Sequence, residues 1–253
     1  MILKKAIRFL AGIFFGLFIS TAVFAQGKEG GYRIFRPNGP GPHPAVVFLS
    51  GCSGFNPGFA PEHHKLVAEK LRANGYAVVF ADYLDHRGKM DCMEVTTAEA
   101  AEDLVEAAAW LKSQPSIDPA RITAIGWSFG GNAVLVAINK YKIDQLVFSR
   151  AIVYYPTCGG LWQWKAKVPV LMLFAGEDRM APSDMCQDAA KESANTDMVK
   201  MVIYPGAQHC FDMSELPPEM HHGFGKIGYH PQAAAAAWGE VERFLQSGAA
   251  KEF

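Results

Sequence analysis

Short runs of consecutive apolar residues alternate with longer amphipathic stretches along most of this chain. Because a strand covered on both faces is apolar at every position, such runs predict strands of a buried, mostly parallel sheet. Tyr32–Phe35 predicts an additional outer strand. The six β-rich runs are Ala45–Leu49, Tyr76–Ala81, Ile122–Gly126, Ala151–Tyr155, Val168–Ala175 and Met198–Tyr204.

The stretches between these runs have helical patterns, and Leu104, Ala108 and Leu111 lie on one face of the Ala- and Glu-rich segment. Thr97 is expected to cap that helix, with Ala100 in the third position and so no capping box. Alternation of strands and helices predicts an α/β fold, with a mostly parallel central sheet and helices on both faces. The predicted helices are Pro61–Ala73, Thr97–Lys112, Asn132–Asn139, Ser183–Ser193 and Ala233–Leu245.

The first 25 residues are predicted to be a signal peptide. Lys4, Lys5 and Arg8 precede an apolar run, and Val23 and Ala25 suit cleavage before Gln26. An uncleaved anchor is the alternative, but the run is short of the roughly 20 apolar residues of a spanning helix. Without a composition break or repeat, residues 26–253 are expected to form one domain. The predicted location is the periplasm or the exterior, with no stable membrane insertion after cleavage.

Composition narrows the classes of function. Hydrophobic residues make up 50% and charged residues 19% of the 253 residues, which excludes a disordered or collagen-like chain. A formal net charge of −1 gives no support for a nucleic-acid partner.

Five cysteines, all beyond residue 25, leave at least one thiol unpaired within a monomer. Cys158 and Cys186 follow strands that should lie close together, so we favour that disulfide. Cys52 with Cys92 is a weaker second pairing.

Gly126-Trp127-Ser128-Phe129-Gly130 matches the G-x-S-x-G pattern of a nucleophile elbow. A β-rich run precedes it and a helical stretch follows, which is the strand–turn–helix setting that an elbow requires. Glycines at 126 and 130 remove side chains that would collide in so tight a turn. Ser128 is therefore the candidate nucleophile, although a helix-capping serine in a glycine-rich turn is the alternative.

An acid and a histidine follow Ser128 in the chain order of α/β-hydrolases. Asp178 comes just after the strand Val168–Ala175, and His209 comes just after Met198–Tyr204. Serine needs a base to accept its proton, and the acid fixes the tautomer of that base. Other acids remain open, with Glu177 the nearest competitor of Asp178 and Asp212 a distant one.

Two backbone amides are candidates for the oxyanion hole. One is Phe129, the residue after the candidate nucleophile. The other is Cys52, in the glycine-rich loop Ser50–Gly54 that follows the strand Ala45–Leu49.

The chain resembles the dienelactone hydrolase family over nearly all of residues 26–253. The resemblance implies an α/β-hydrolase fold, a metal-free nucleophile–His–Asp triad, and hydrolysis of esters or lactones. Two departures stand out: the namesake enzymes have a cysteine nucleophile where this chain has Ser128, and relatives commonly have His where this chain has Ser50. The resemblance rests on Leu49–Gly54, Gly75–Val78, Asp82-Tyr83, Arg87-Gly88, Ile125–Gly131, Tyr155-Pro156, Gly176–Asp178 with Pro182, and Tyr204–Phe211.

The predicted function is thus hydrolysis of small-molecule carboxylic esters or lactones through an acyl-enzyme, without cofactor or metal. His63-His64 and His221-His222 are adjacent pairs, and adjacent side chains on a helix diverge by about 100°, which disfavours chelation of one metal ion.

A peptidase or amide hydrolase of the same fold stays open as an alternative function. A non-catalytic binding protein on a hydrolase scaffold also stays open. Nothing in the sequence indicates the oligomeric state.

Overall fold

The computed structural model describes residues 26–55, 60–142, 144–161, 164–191, 196–223 and 225–247. The predicted signal peptide, residues 1–25, lies outside them. The strands are β1 Gln26–Glu29, β2 Tyr32–Phe35, β3 His43–Leu49, β4 Ala77–Phe80, β5 Ile117–Trp127, β6 Arg150–Tyr154, β7 Val170–Ala175, β8 Val199–Tyr204, β9 Met220–His222 and β10 Gly225–Ile227. The helices are α1 Ala60–Ala73, α2 Tyr83–Arg87, α3 Thr97–Lys112, α4 Phe129–Lys140, α5 Ser183–Lys191 and α6 Pro231–Gln246.

Eight of the described strands form one sheet in the order β1-β2-β4-β3-β5-β6-β7-β8. The pairs from β4 to β8 are parallel, and β2 joins β4 antiparallel at one side. The prediction of a mostly parallel central sheet is therefore confirmed. β9 and β10 form a separate antiparallel hairpin.

Both faces of the sheet are buried, as the continuous apolar runs predicted. Along β3, Val47 and Leu49 pack in the cluster that includes α3 and α4. Val46 and Phe48 point to the opposite face, where the cluster includes α1 and α6. Helices thus cover both faces, and no described helix has the length and apolar composition needed to cross a membrane.

The start of α3 differs from its prediction by one residue. Thr96, not Thr97, is the N-cap, and its extended backbone lets Oγ1 accept from the amide of Glu99 at 3.2 Å. Glu99 Oε2 in turn accepts from the Thr96 amide at 2.8 Å. A full capping box is therefore present, and the expectation of an ordinary cap without one was wrong.

The carboxyl ends of the parallel strands bring four loops to one edge of the sheet. Leu49 of β3 pairs with Gly126 of β5, and Trp127 pairs with Tyr154 of β6. β7 and β8 end in register at Ala175 and Tyr204. The segments that carry all the predicted site residues begin at this edge, directly after β3, β5, β7 and β8.

Candidate active site

Ser128 occupies a sharp turn between β5 and α4. Its φ of 50° and ψ of −117° lie outside the usual range of non-glycine residues, and α4 begins at the very next residue, Phe129. A Cβ on Gly126 would lie 2.5 Å from the carbonyl oxygen of Gly130. A Cβ on Gly130 would in turn overlap the carbonyl oxygen of Ser50. The two glycines of the motif therefore permit the close approach of strand, helix and neighbouring loop.

Ser128, His209 and Asp178 form a continuous chain of polar contacts. His209 Nε2 lies 3.0 Å from Ser128 Oγ, and His209 Nδ1 lies 2.6 Å from Asp178 Oδ2. His209 and Asp178 are buried, at 3% and 6% exposure, whereas Ser128 is half-buried and can be reached from outside. The structure thus brings together the three residues predicted from their order along the chain. The His209 ring is buried behind the more accessible Ser128 hydroxyl.

Backbone amides hold the Asp178 carboxylate in place. Its Oδ1 accepts from the amides of Met180 at 2.8 Å and Ala181 at 2.9 Å, which leaves Oδ2 for the histidine. Neighbouring Glu177 is exposed, and its amide donates to the carbonyl of Ala207 at 2.8 Å, linking the acid loop to the histidine loop. Asp178, and neither Glu177 nor Asp212, is therefore the carboxylate at His209 Nδ1.

The loop after β3 lies directly against the serine turn. An added Cβ on Gly51 would sit 3.6 Å from Ser128 Cβ, and Tyr83 Oη donates to the Gly51 carbonyl at 2.7 Å. Cys52 and the half-buried Phe129 are both next to this contact. The loop position fits the predicted donors, while the roles of their amides stay predictions.

Both proposed disulfides are present. Cys52–Cys92 fastens the loop after β3, with the Cys92 amide also donating to the Cys52 carbonyl at 3.0 Å. Cys158–Cys186 fastens the loop after β6 to α5. Cys210, next to His209, is the free cysteine and is buried. Burial, followed by the charges of Asp212 and Asp178, raises the pKa of this thiol well above its usual value, so it stays protonated near neutral pH.

The rings of His63 and His64 lie with centroids 5.5 Å apart and planes at 75° to each other. Within the described ranges, His86, Asp103 and Glu106 form the one group of three potential metal ligands, with ligand atoms within 4.8 Å of one another. Arg87 donates to both carboxylate oxygens of Asp103, at 2.7 and 3.1 Å. That cluster is therefore an ion-paired part of the scaffold, and the absence of a metal centre stays a prediction.

Fold and site together define the class. A mostly parallel sheet covered on both faces, with a strained serine on a strand–helix turn and Asp and His after later strands, has the architecture of the α/β-hydrolase fold. The model of the dienelactone hydrolase family matches residues 31–248, and the chain belongs to that family.

Solved structures agree with this fold at low sequence identity. A crystal structure described as a "Putative Dienelactone Hydrolase" of Klebsiella pneumoniae has a TM-score of 0.70 and 19% identity, covering 85% of this chain and 92% of the other. A thermophilic esterase of Thermogutta terrifontis, solved with propionate bound, has a TM-score of 0.62 and 17% identity, covering 87% and 91%.

Two curated proteins of Mycobacterium tuberculosis, each named "Putative phosphoribosyl transferase", are 26% identical over 173 residues. The match covers 68% of this chain and 37% of theirs, so the chain spans little more than a third of their length.

Proposed function

We propose that this chain is a serine hydrolase that cleaves small carboxylic esters or lactones through an acyl-enzyme intermediate. The observation that carries the proposal is the contact chain from Ser128 Oγ to His209 Nε2 at 3.0 Å and from His209 Nδ1 to Asp178 Oδ2 at 2.6 Å. Membership of the dienelactone hydrolase family supports it. The similar fold of a protein named an esterase is consistent with the same chemistry.

In the proposed mechanism, His209 Nε2 accepts the proton of Ser128 Oγ while that oxygen attacks the ester carbonyl carbon. Asp178 keeps Nδ1 protonated and stabilises the imidazolium. The amides of Cys52 and Phe129 donate to the oxyanion, and His209 returns the proton to the departing alcohol. Water then enters by the reverse sequence and releases the acid. The proposed mechanism uses side chains and backbone amides of this chain together with one water molecule, and it requires no cofactor.

Two measurements on the chain starting at Gln26 test the proposal. The first is hydrolysis of p-nitrophenyl esters of increasing acyl length. The second is labelling with a fluorophosphonate, with the labelled residue located by peptide mass spectrometry. We expect turnover and label on Ser128. Ser128→Ala should lose both with an unchanged melting temperature. Ser113→Ala is the matched control, because Ser113 is an exposed residue at the end of α3 whose Oγ donates to the Trp110 carbonyl.

The same assay separates the alternative functions. A p-nitroanilide with the same acyl group reports on amide cleavage, and faster turnover of the anilide than of the ester would favour a peptidase. Folded protein without turnover or label would favour a binding protein, because binding requires no activated serine. Full ester turnover by Ser128→Ala would refute the role given to Ser128.

We further propose that the chain is exported and cleaved before Gln26. Two disulfides within one domain support export, because such cross-links persist mainly in oxidising compartments. N-terminal sequencing of the protein from periplasmic and culture fractions should give Gln26 as the first residue. An intact Met1 in the membrane fraction would instead indicate an uncleaved anchor.

A further inference from the structure

Asp212 is a buried carboxylate that the proposed mechanism does not use. It lies three residues after His209, and its side chain is only 7% exposed. Tyr155 Oη donates to Oδ1 at 2.7 Å, and Trp127 Nε1 donates to Oδ2 at 2.9 Å. His63 Nε2, from α1, lies 3.0 Å from the same Oδ2. One carboxylate therefore joins side chains from three distant segments of the chain.

Two of the segments held by Asp212, those of Trp127 and Tyr155, border the reacting groups. Trp127 is the last residue of β5 and directly precedes Ser128, so the hydrogen bond from its indole to Asp212 holds the end of the strand next to the serine turn. The Tyr155 ring packs against the His209 ring, with the centroids 4.5 Å apart. Asp212 itself belongs to the loop that carries His209. The carboxylate is thus linked to both sides of the Ser128–His209 contact without touching either residue's reacting atoms.

Backbone strain is concentrated around the same carboxylate. Of the four described non-glycine residues with positive φ, Ser128 at 50° follows Trp127, Tyr155 at 37° donates to Asp212, and Cys210 at 62° lies two residues before it. Strained conformations persist only where the surrounding contacts over-determine them. Of these three positions, Tyr155 itself donates to Asp212, Ser128 follows a residue that does, and Cys210 lies in the same loop as the carboxylate.

The carboxylate is suited to this task because it is charged. Burial by itself raises the pKa of Asp212. The electrostatic attraction of His63 and the hydrogen bonds from His63, Tyr155 and Trp127 together have a larger, opposite effect. The pKa of Asp212 therefore lies below its ordinary value. Hydrogen bonds to an ionised acceptor are shorter and stronger than those to a neutral one. An uncharged amide of the same size would provide one acceptor oxygen in place of two, so either Tyr155 or Trp127 would lose the acceptor of its hydrogen bond.

We propose that Asp212 is a positioning residue that fixes Trp127 and Tyr155, and through them the distance and angle between Ser128 Oγ and His209 Nε2. The inference rests on the proposed hydrolase function. Small displacements of reacting groups have large effects on rate, since misplacement by about 1 Å costs on the order of a hundredfold. Asp212 is linked to Ser128 and His209 through Trp127 and Tyr155 and does not contact their reacting atoms, so we expect its loss to lower kcat more than it changes KM.

The test compares wild type, Asp212→Asn, Tyr155→Phe and the matched control Asp103→Asn. Asp103 is a carboxylate of similar burial, 6% exposed, whose contacts are with Arg87 and His86. Tyr155→Phe removes one hydroxyl and keeps the ring against His209. Fluorophosphonate titration counts competent serines, so kcat per titrated site is independent of the fraction of folded protein.

We expect kcat per titrated site to fall at least about tenfold in Asp212→Asn and by a smaller factor in Tyr155→Phe, with KM nearly unchanged. Asp103→Asn should keep the wild-type value per site even if it melts earlier. If Asp212→Asn fails to fold, Tyr155→Phe decides. If Asp212→Asn and Tyr155→Phe both keep the wild-type kcat per titrated site, the positioning role of Asp212 is refuted and the proposed hydrolase function is unaffected. A wild type that neither turns over ester nor labels Ser128 would overturn the proposed function instead.

Discussion

Ser128 holds a conformation that its neighbours must enforce, and glycine at position 130 makes it possible. The carbonyl oxygens of Leu49 and Ser50 lie where a side chain at 130 would be, and both belong to backbone that cannot move without shifting the loop after β3. A methyl group at this position would therefore push the loop after β3 away from the serine. The motif glycines are thus required by contacts between elements as much as by the turn itself.

Gly130→Ala should lower the free energy of unfolding by about 2 kcal/mol or more, through overpacking against rigid backbone, and reduce ester turnover. Urea unfolding and the p-nitrophenyl assay measure the two effects. Gly239→Ala is the matched control within α6, where the nearest atom to an added Cβ is Arg243 Nη1 at 3.5 Å. That change should stabilise by up to about 1 kcal/mol, from helix propensity alone. Equal effects of the two substitutions would contradict the packing argument.

At the residue scale, the sequence predicts that Ser128, Asp178 and His209 meet at the sheet edge, but it does not indicate the hydrogen bonds of Asp212. Ser128, Asp178 and His209 were selectable because parallel strand ends meet at one edge. The sequence offers Asp212 only as a distant competitor of Asp178. Its hydrogen-bond partners Trp127 and Tyr155 lie 85 and 57 residues away, and no local pattern reports contacts of that range.

Buried elements were easier to predict than their boundaries. Apolar runs located β3 to β8, but β5 begins five residues earlier than the run Ile122–Gly126, through the exposed segment Pro119–Arg121. Short elements with exposed positions were missed: β1, α2 and the β9–β10 hairpin have no continuous apolar run. Their positions depend on pairing partners that the local sequence does not reveal.

The Cys52–Cys92 disulfide ties the loop after β3 to the segment after α2. It joins residues 40 apart, for which the chain-entropy model gives about 4 kcal/mol of stability. We expect Cys92→Ser to lower the free energy of unfolding by up to that amount and to reduce kcat per titrated site, because the Cys52 amide loses its tether.

The double variant Cys158→Ser/Cys186→Ser is the control for this disulfide. It removes a cross-link of similar span, 28 residues, in a different loop. It should lose comparable stability and keep more of its kcat per titrated site. Equal rates per site in both variants would show that the Cys52 tether has no part in turnover.

At the scale of the whole molecule, several acidic groups are held protonated inside the fold. Burial, then the charge of Asp212, raises the pKa values of Tyr154 and Tyr155 well above the ordinary value, as burial does for Cys210. The unfolded chain releases these protons at their ordinary pKa, about 8.5 for cysteine and about 10 for tyrosine. Above those values the unfolded state binds fewer protons than the folded state, so stability falls as pH rises.

Between about pH 9 and 10 the Cys210 thiol alone should lower the free energy of unfolding by up to about 1.4 kcal/mol per pH unit. Cys210→Ala should flatten the curve in this range and leave the steeper loss above about pH 10, which comes from the tyrosines. Chemical denaturation from pH 7 to 11 measures both slopes. Identical curves for wild type and variant would mean that the folded thiol ionises at its ordinary pKa.

The order of the cysteines along the chain predicts different disulfide pairing during synthesis and during refolding of the reduced chain. Both native disulfides join cysteines that are consecutive along the chain, and Cys210 comes last. A chain that emerges N-terminus first can therefore oxidise each native pair before the odd thiol appears. A fully reduced chain refolding at once meets different odds, because Cys186 is closer in sequence to Cys210 than to Cys158 and the shorter loop closes at lower entropic cost. For a chain exported as proposed, we therefore expect emergence from the N-terminus to favour the two native pairs, and refolding of the reduced chain to form more of the non-native Cys186–Cys210 pair.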